Sequence, residues 1–359
     1  MNKMSTKHLM FLIIAVSIIG LRSYSSIFIN YGGRDSGIAA IFACILIYLY
    51  LVYLMKLFKR GGNYNFRDII NNSFPKILGK CIIFIFSIAL FLSAIESAAI
   101  ESSSIHTNFF LSTPTWYCLL FILIPGGYIL TRDFNSILIT TISSVFLVLI
   151  GDSMLFLLMA KYLDFSFLLP ILENGFDKNL WICLLLIVCS FSSVAIVLPY
   201  LNNIEKDKYL IKYSSLAILI CSILVTVSFI SIITFFGPER AANIFYPEYV
   251  ASQRVQIASF LEFGEIFYIF RSVFMWLLKY ILSSYGIILL YKDIIKNKKL
   301  FIVFYSTIVF IASYLLNKNQ FFLFNTLEIL QFITGAIYII IPILCLLVYN
   351  FKSKVRKKA

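Results

Sequence analysis

Long apolar runs, separated by short polar interruptions, fill almost the whole chain. A helix needs about 20 apolar residues to cross roughly 30 Å of hydrocarbon. Read in order, the runs predict ten spans at about 8–29, 36–58, 79–105, 115–131, 135–160, 179–201, 211–236, 264–291, 299–316 and 326–350. They lack the strict alternation of a membrane β-strand, so the pattern predicts an all-α polytopic bundle. The stretch "YNFRDIINNSFPKILG" (63–78) has an amphipathic pattern and is expected to lie at the membrane surface before span 3.

Ten spans divide into two sets of five, about 8–160 and 179–350, within a single transmembrane domain covering 1–359. Because five is odd, the second set is inverted relative to the first. Inverted-repeat folds place a ligand between discontinuous first helices of each half, here spans 1 and 6. Both carry an interruption. Span 1 contains "IIGLRSYSSIFIN" (18–30), and span 6 reads "IVCSFSSVAIVLPY". A break in mid-membrane frees backbone N–H and C=O groups, tolerated only where they line a cavity or meet a ligand. Half-helix N-termini also favour an anionic group. Gly20, Arg22, Ser23, Ser25 and Ser26 in span 1, with Ser190, Phe191, Ser192 and Ser193 in span 6, are therefore candidate ligand-binding residues. The competing reading is that the small residues only allow close helix packing.

Arg22 is the sharpest departure from the apolar pattern. A charge near mid-bilayer costs several kcal/mol unless paired or hydrated, so it is expected to face the interior. Glu96 and Glu101 of span 3, Asp152 of span 5 or a ligand carboxylate are candidate partners, with Arg271 and Lys279 of span 8 competing for the same acids. Glu96 and Glu101 stand roughly 140° apart around a helix, so only one points squarely at a central site. Glu96, nearer the middle, is the expected inward carboxylate.

Composition narrows the picture further. The 359 residues are 61% hydrophobic and 13% charged, too apolar for a soluble domain. The net charge of +13 needs no nucleic-acid partner. Lysines and arginines gather in alternate loops: Lys3 and Lys7, Lys56 to Lys80, Arg132, Lys206 to Lys212, Lys292 to Lys299, and the tail from Lys352. The positive-inside rule then places both termini in the cytoplasm. Trp116 and Trp181 fall at the opposite span ends, as interfacial aromatics do. The run after Lys3 and Lys7 lacks a small-residue cleavage site and is read as the first span. Seven cysteines lie scattered in apolar runs, and two histidines are too few for a metal cage. No P-loop, dinucleotide fingerprint or nucleophile elbow is present, so neither catalysis nor a cofactor is expected.

Several local motifs occur in a fixed order: "STPTW" (112–116), "FLLPILENG" (167–175), "LPYLN" (198–202), "FFGPERAANIFYPEYVASQRVQIASFLEFGEIFYIF" (235–270) and "LLKYILSSYGIILLY" (277–291). Together they resemble the B subunits of spore germinant receptors, the GerAB-type spore permease family of the amino acid–polyamine–organocation superfamily. The resemblance covers essentially the whole chain. It implies a sodium-symporter-like ten-helix core and a role in sensing a small-molecule germinant such as an amino acid, sugar or nucleoside. It also implies A-type and C-type partner subunits in the spore inner membrane. Carried over, the ligand-contacting glycine matches Gly20, the span 6 site matches Ser190 to Ser193, and the span 8 wall matches Ser283, Ser284 and Tyr285. Arg22 stands where relatives commonly carry a second glycine, Asn30 or its neighbours where they carry proline, and Phe263 where they often have arginine. Residues 239–263 are expected to form a re-entrant or capping element over the outer vestibule or, alternatively, a contact for the C-type partner. Receptor, cation-coupled transporter and ligand-silent scaffold all remain open at this point.

Overall fold

The computed structural model describes residues 3–173, 175–205, 208–255 and 264–358. Nine helical stretches among them are long and apolar enough to cross a membrane, and Thr115–Thr131, at 17 residues, is a shorter apolar tenth. The protein is an integral, multi-pass membrane protein. Span 1 comprises Thr6–Ser17, Ile19–Ser23 and Ser26–Gly32. Spans 2 to 5 are Ser36–Gly61, Lys76–Asn108, Thr115–Thr131 and Phe134–Met159. Span 6 joins Lys178–Phe191 to Ser192–Asn203, and spans 7 to 10 are Leu210–Phe236, Gly264–Leu290, Lys298–Leu316 and Gln320–Lys358.

Polar residues at the turns start several of these helices by accepting otherwise unpaired N–H groups. Asp133 accepts from Ser136 N–H at the start of span 5, Asp177 from Leu180 at span 6, and Asn297 from Leu300 at span 9.

The packing obeys the exchange expected of a five-plus-five inverted repeat. Span 1 packs on spans 5 and 7, and span 6 packs on spans 10 and 2. Span 8 packs on spans 4 and 5, and span 3 on spans 9 and 10. The self-exchanging pairs 2–7, 3–8 and 4–9 all touch. The inversion is visible at the chain start, where Met4 N–H donates to the Asn203 carbonyl (2.8 Å) and Glu205 N–H to the Met4 carbonyl (3.0 Å). The beginning of span 1 therefore lies beside the end of span 6, on the terminal face of the bundle.

Both first helices change course in mid-span. In span 1 helical geometry lapses at Tyr24 (φ −122°, ψ 45°), within the run of serines. In span 6 the α-helix tightens to a 3₁₀ helix at Ser192 and holds it for 12 residues, through Pro199. Such runs seldom exceed 3–4 residues, and a long one marks a hinge or a functional constraint.

Two short helices, Pro238–Ala242 and Pro247–Gln253, cap the face opposite the termini between spans 7 and 8. The rest of that connection, 256–263, lies outside the described residues and includes Phe263. The amphipathic stretch forms the helix Phe66–Ser73, whose apolar residues Phe66, Ile69 and Ile70 are buried. It packs on spans 3 and 10 and the 3₁₀ part of span 6, so its apolar side meets protein instead of lipid. Trp116 and Trp181 are both exposed at the first turns of spans 4 and 6.

Candidate functional site

Seven ionisable side chains with formal charge are buried among the described residues: Arg22, Glu96, Glu101, Asp152, Glu248, Arg271 and Lys279. All lie in the middle of the bundle or between it and the cap; six form two clusters, and Glu101 stands apart with its bond to Ser272.

The first cluster closes the side facing the cap. Arg22 donates from Nη1 to Asp152 Oδ2 at 2.6 Å and from Nε to Glu248 Oε1 at 3.0 Å. Arg271 reaches the other oxygens of the same two acids, Asp152 Oδ1 at 3.5 Å and Glu248 Oε2 in close contact. Two guanidiniums and two carboxylates thus form a closed ring of opposite charges. Planar, multi-donor guanidiniums suit this bridging role better than a lysine would. Ser228 of span 7 adds a bond to Glu248 Oε1 (2.5 Å), and Ser26 Oγ donates to the Phe245 carbonyl at 3.2 Å. These contacts join the cap to spans 1, 5, 7 and 8.

The second cluster sits at the break of span 1. Glu96 Oε2 accepts from Lys279 Nζ (2.9 Å), while Oε1 accepts from Tyr24 Oη (2.6 Å) and Gln331 Nε2 (3.2 Å). Gln331 also donates to Tyr24 Oη at 2.8 Å. Lys279 Nζ stands 5.2 Å from the Trp276 ring centre, and that ring stacks on Tyr24. Trp276 Nε1–H donates to Ser23 Oγ at 3.1 Å. Gly20 is required here because a Cβ would come within 2.7 Å of Tyr24 Oη, 3.3 Å of Ser190 Oγ and 3.4 Å of Glu96 Oε1. Spans 1, 3, 6, 8 and 10 therefore converge on one charged, hydrogen-bonding centre. Its chemistry suits a small solute carrying a carboxylate, an ammonium group, or both.

Beyond this centre, toward the terminal face, the closure is aromatic. Phe134 of span 5, Tyr200 of span 6 and Tyr285 of span 8 pack with ring centres 6.0–6.1 Å apart. Tyr200 Oη donates to the Leu282 carbonyl at 2.6 Å. Below them opens a polar cavity of about 750 Å³ lined by Asn65, Arg67, Asn202, Asn203, Asp293 and Lys298, among others.

The remaining candidate serines divide by direction. Ser193 Oγ donates to the Val16 carbonyl at 3.0 Å, linking the two broken spans. Ser192 returns its hydroxyl to the Cys189 carbonyl (2.6 Å), and Phe191 is buried at the end of the α-helical part of span 6. Ser283 and Ser284 bond the Lys279 and Tyr280 carbonyls, one turn back in their own helix. Ser25 Oγ is buried with no hydrogen-bond partner among the described residues. Arg22 pairs with Asp152, whereas Glu96 pairs with Lys279.

A family model described as "spore germination protein" matches residues 3–322. The chain belongs to the spore germination protein family. One relative is the Bacillus subtilis (strain 168) protein "Putative spore germination protein YfkT", 23% identical over 265 residues. That match covers 69% of this chain and 68% of the relative. Among solved structures, a Na⁺-coupled sialic acid symporter in a substrate-bound outward-open state superposes with a TM-score of 0.63 at 13% identity. It covers 91% of this chain and 76% of the symporter. Mhp1, a nucleobase-cation-symport-1 family transporter in a closed conformation with bromovinylhydantoin bound, gives 0.64 at 11% identity, covering 91% and 75%. These likenesses show a transporter-like fold.

Sequence reasoning missed Glu248, Tyr24, Trp276 and Gln331 of this spore germination protein. Glu248 follows Pro247 in a polar connection, so its sequence neighbours give no sign of burial. Gln331 had a readable signal: it is an amide within a span otherwise rich in apolar residues. Such residues usually mark an interior partner.

Proposed function

We propose that this protein is the germinant-sensing subunit of a spore germination receptor, with an amino acid or similar zwitterion as its ligand. The reading rests on one observation above others: the Lys279–Glu96 pair packed against Gly20 at the break of span 1. An ammonium and a carboxylate already bonded to each other can be exchanged for a zwitterion's carboxylate and ammonium without changing the buried net charge. The exchange avoids burying an uncompensated charge, which is the largest obstacle to a polar ligand here. Because the ligand replaces a contact of one conformation, it binds the two conformations differently, as any trigger must. The signal then passes to A-type and C-type partner subunits in the spore inner membrane, with both termini of this chain in the cytoplasm.

The test is complementation of spores lacking this chain, followed by dose–response to single amino acids. Wild-type protein should restore the response. Glu96→Gln should raise the half-maximal concentration at normal subunit abundance. An unchanged dose–response at normal abundance would sink the assignment of the ligand to this centre. The symporter-like fold favours a second reading, cation-coupled transport of the same solute. Gradient-driven uptake in proteoliposomes supports that reading, whereas ligand binding without flux supports the receptor.

A further inference from the structure

The buried charges do not balance. Arg22, Arg271 and Lys279 give three cations against the four carboxyls Glu96, Glu101, Asp152 and Glu248. Three of those carboxyls have a cation within ion-pair distance: Asp152 and Glu248 with the two arginines, and Glu96 with Lys279. Glu101 is 1% exposed and has no ion pair among the described residues; its bond comes from the neutral hydroxyl of Ser272, at 2.5 Å. The segment 256–263 contains no lysine or arginine to supply the missing charge.

The surroundings of Glu101 offer it no buried, unengaged cation among the described residues. Span 8 presents Tyr268, Arg271 and Ser272 toward this region, with Lys279 two turns further in and Glu265 near its start. The cap contributes Tyr246, which bonds Ser103 at 2.8 Å, together with Glu248 and Tyr249. On span 3 itself Glu96 lies five residues away, and Ser104 is 3.5 Å from Tyr268 Oη. Span 9 offers the Asn317 amide to Ser102, and Lys318 beyond it is exposed. Span 10 contributes Gln331 and also Glu328, the latter bonded to Tyr31. Span 4 has no charged residue between Thr115 and Thr131. The nearest cation in sequence order along span 8 is Arg271, adjacent to Ser272, and it is engaged by Asp152 and Glu248.

We propose that Glu101 is a proton-binding site linked to the charge ring: it carries a proton while Arg271 is held by Asp152 and Glu248, and loses it when Arg271 is released. Burying a fourth uncompensated carboxylate is far costlier than keeping it as the neutral acid. Opening the ring frees Arg271 to turn to Glu101; the Glu101 O–H bond breaks and the proton passes to water entering from the cap side. The closed form therefore holds one proton more than the open form, so raising the pH favours opening.

Infrared spectroscopy of the full-length purified protein in lipid at neutral pH reads this directly, without any germinant. The wild type should show the C=O band of a protonated carboxyl, since exposed acids are ionised at that pH. Glu101→Gln should abolish the band, while Glu265→Gln and Glu101→Asp should retain it. Glu248→Gln removes the excess carboxylate, leaving three cations and three acids, and should also abolish the band while leaving Glu101 in place. A wild type without the band, a band that survives Glu101→Gln, or one that survives Glu248→Gln would each overturn the proposal. Because no ligand is involved, these outcomes are independent of whether the central pair binds a germinant.

Discussion

The two closures of the bundle are built from different materials. On the cap side, Arg22, Arg271, Asp152 and Glu248 form a ring of buried ion pairs. On the terminal side, Phe134, Tyr200 and Tyr285 form a triangle of packed rings. The exchange of spans 1 and 6 that relates the halves of the fold does not extend to this chemistry, since span 1 contributes an arginine to its closure and span 6 a tyrosine. The consequence is energetic. A buried ion ring is intolerant: losing one member strands the opposite charge, so the ring behaves as a unit that is either formed or replaced. Aromatic contacts give about 0.5–1.5 kcal/mol per pair beyond area burial, and they weaken by degrees as rings rotate or slide. The cap side is therefore expected to open all at once when one pair breaks, whereas the terminal side is expected to yield gradually.

The sharpest way to break this comparison is to remove one ring member. Arg22→Met should destabilise the purified protein by about 3–5 kcal/mol, read from thermal unfolding, because Asp152 and Glu248 lose a shared guanidinium. The charge-matched double variant Arg22→Met with Asp152→Leu should recover much of the loss, since Arg271 and Glu248 remain paired. Equal damage from the double variant would show that packing, not charge balance, dominates this side.

A smaller effect is expected at the centre. Gly20→Ala forces Tyr24 off Glu96, given the 2.7 Å approach of the new methyl to its hydroxyl. Overpacking of this kind costs about 1–3 kcal/mol. The germinant response should shift more than the stability does, measured as half-maximal concentration against unfolding midpoint.

The aromatic side should respond more gently still to loss of a polar contact. Tyr200→Phe keeps the ring and loses only the bond to the Leu282 carbonyl. A cost of about 1 kcal/mol is expected, and a loss comparable to that of Arg22→Met would erase the contrast between the two closures.

The smallest effect belongs to Ser283→Ala and Ser284→Ala. Both hydroxyls are directed to carbonyls of their own helix, with a further contact from Ser284 to Tyr305 (3.2 Å). A change within about 0.5 kcal/mol for Ser283→Ala, and no shift in germinant response, is the expected result by calorimetry and dose–response.

These contrasts also mark what the sequence could convey. The spans were legible because crossing hydrocarbon demands continuous apolar runs, and the agreement holds to a few residues at most helix ends. Polar residues interrupting spans 1 and 6 were legible for the same reason, as exceptions to a strong rule. Their form was not, because nothing in "CSFSSVAIVLPY" distinguishes an unwound break from the long 3₁₀ stretch that follows Phe191. The acids of spans 3 and 5 were recognisable as interior groups, yet their pairing depends on which turn of span 8 faces which turn of span 3. That tertiary register separates Lys279–Glu96 from Ser272–Glu101. Glu248 was the least legible of all, since a cap acquires its burial only when the spans beneath it assemble.

With the charge ring closed, the centre at Gly20 and Ser190 is shielded from the cap side. The direct measurement is labelling of Ser190→Cys, in a background with all seven native cysteines replaced by serine, by a membrane-impermeant maleimide applied to that face of oriented vesicles. With the ring intact, labelling should be slow; adding Glu248→Gln should accelerate it about tenfold, corresponding to a shift of about 1.4 kcal/mol toward the open form. Rapid labelling with the ring intact, or no acceleration when it is broken in a folded protein, would contradict the central claim.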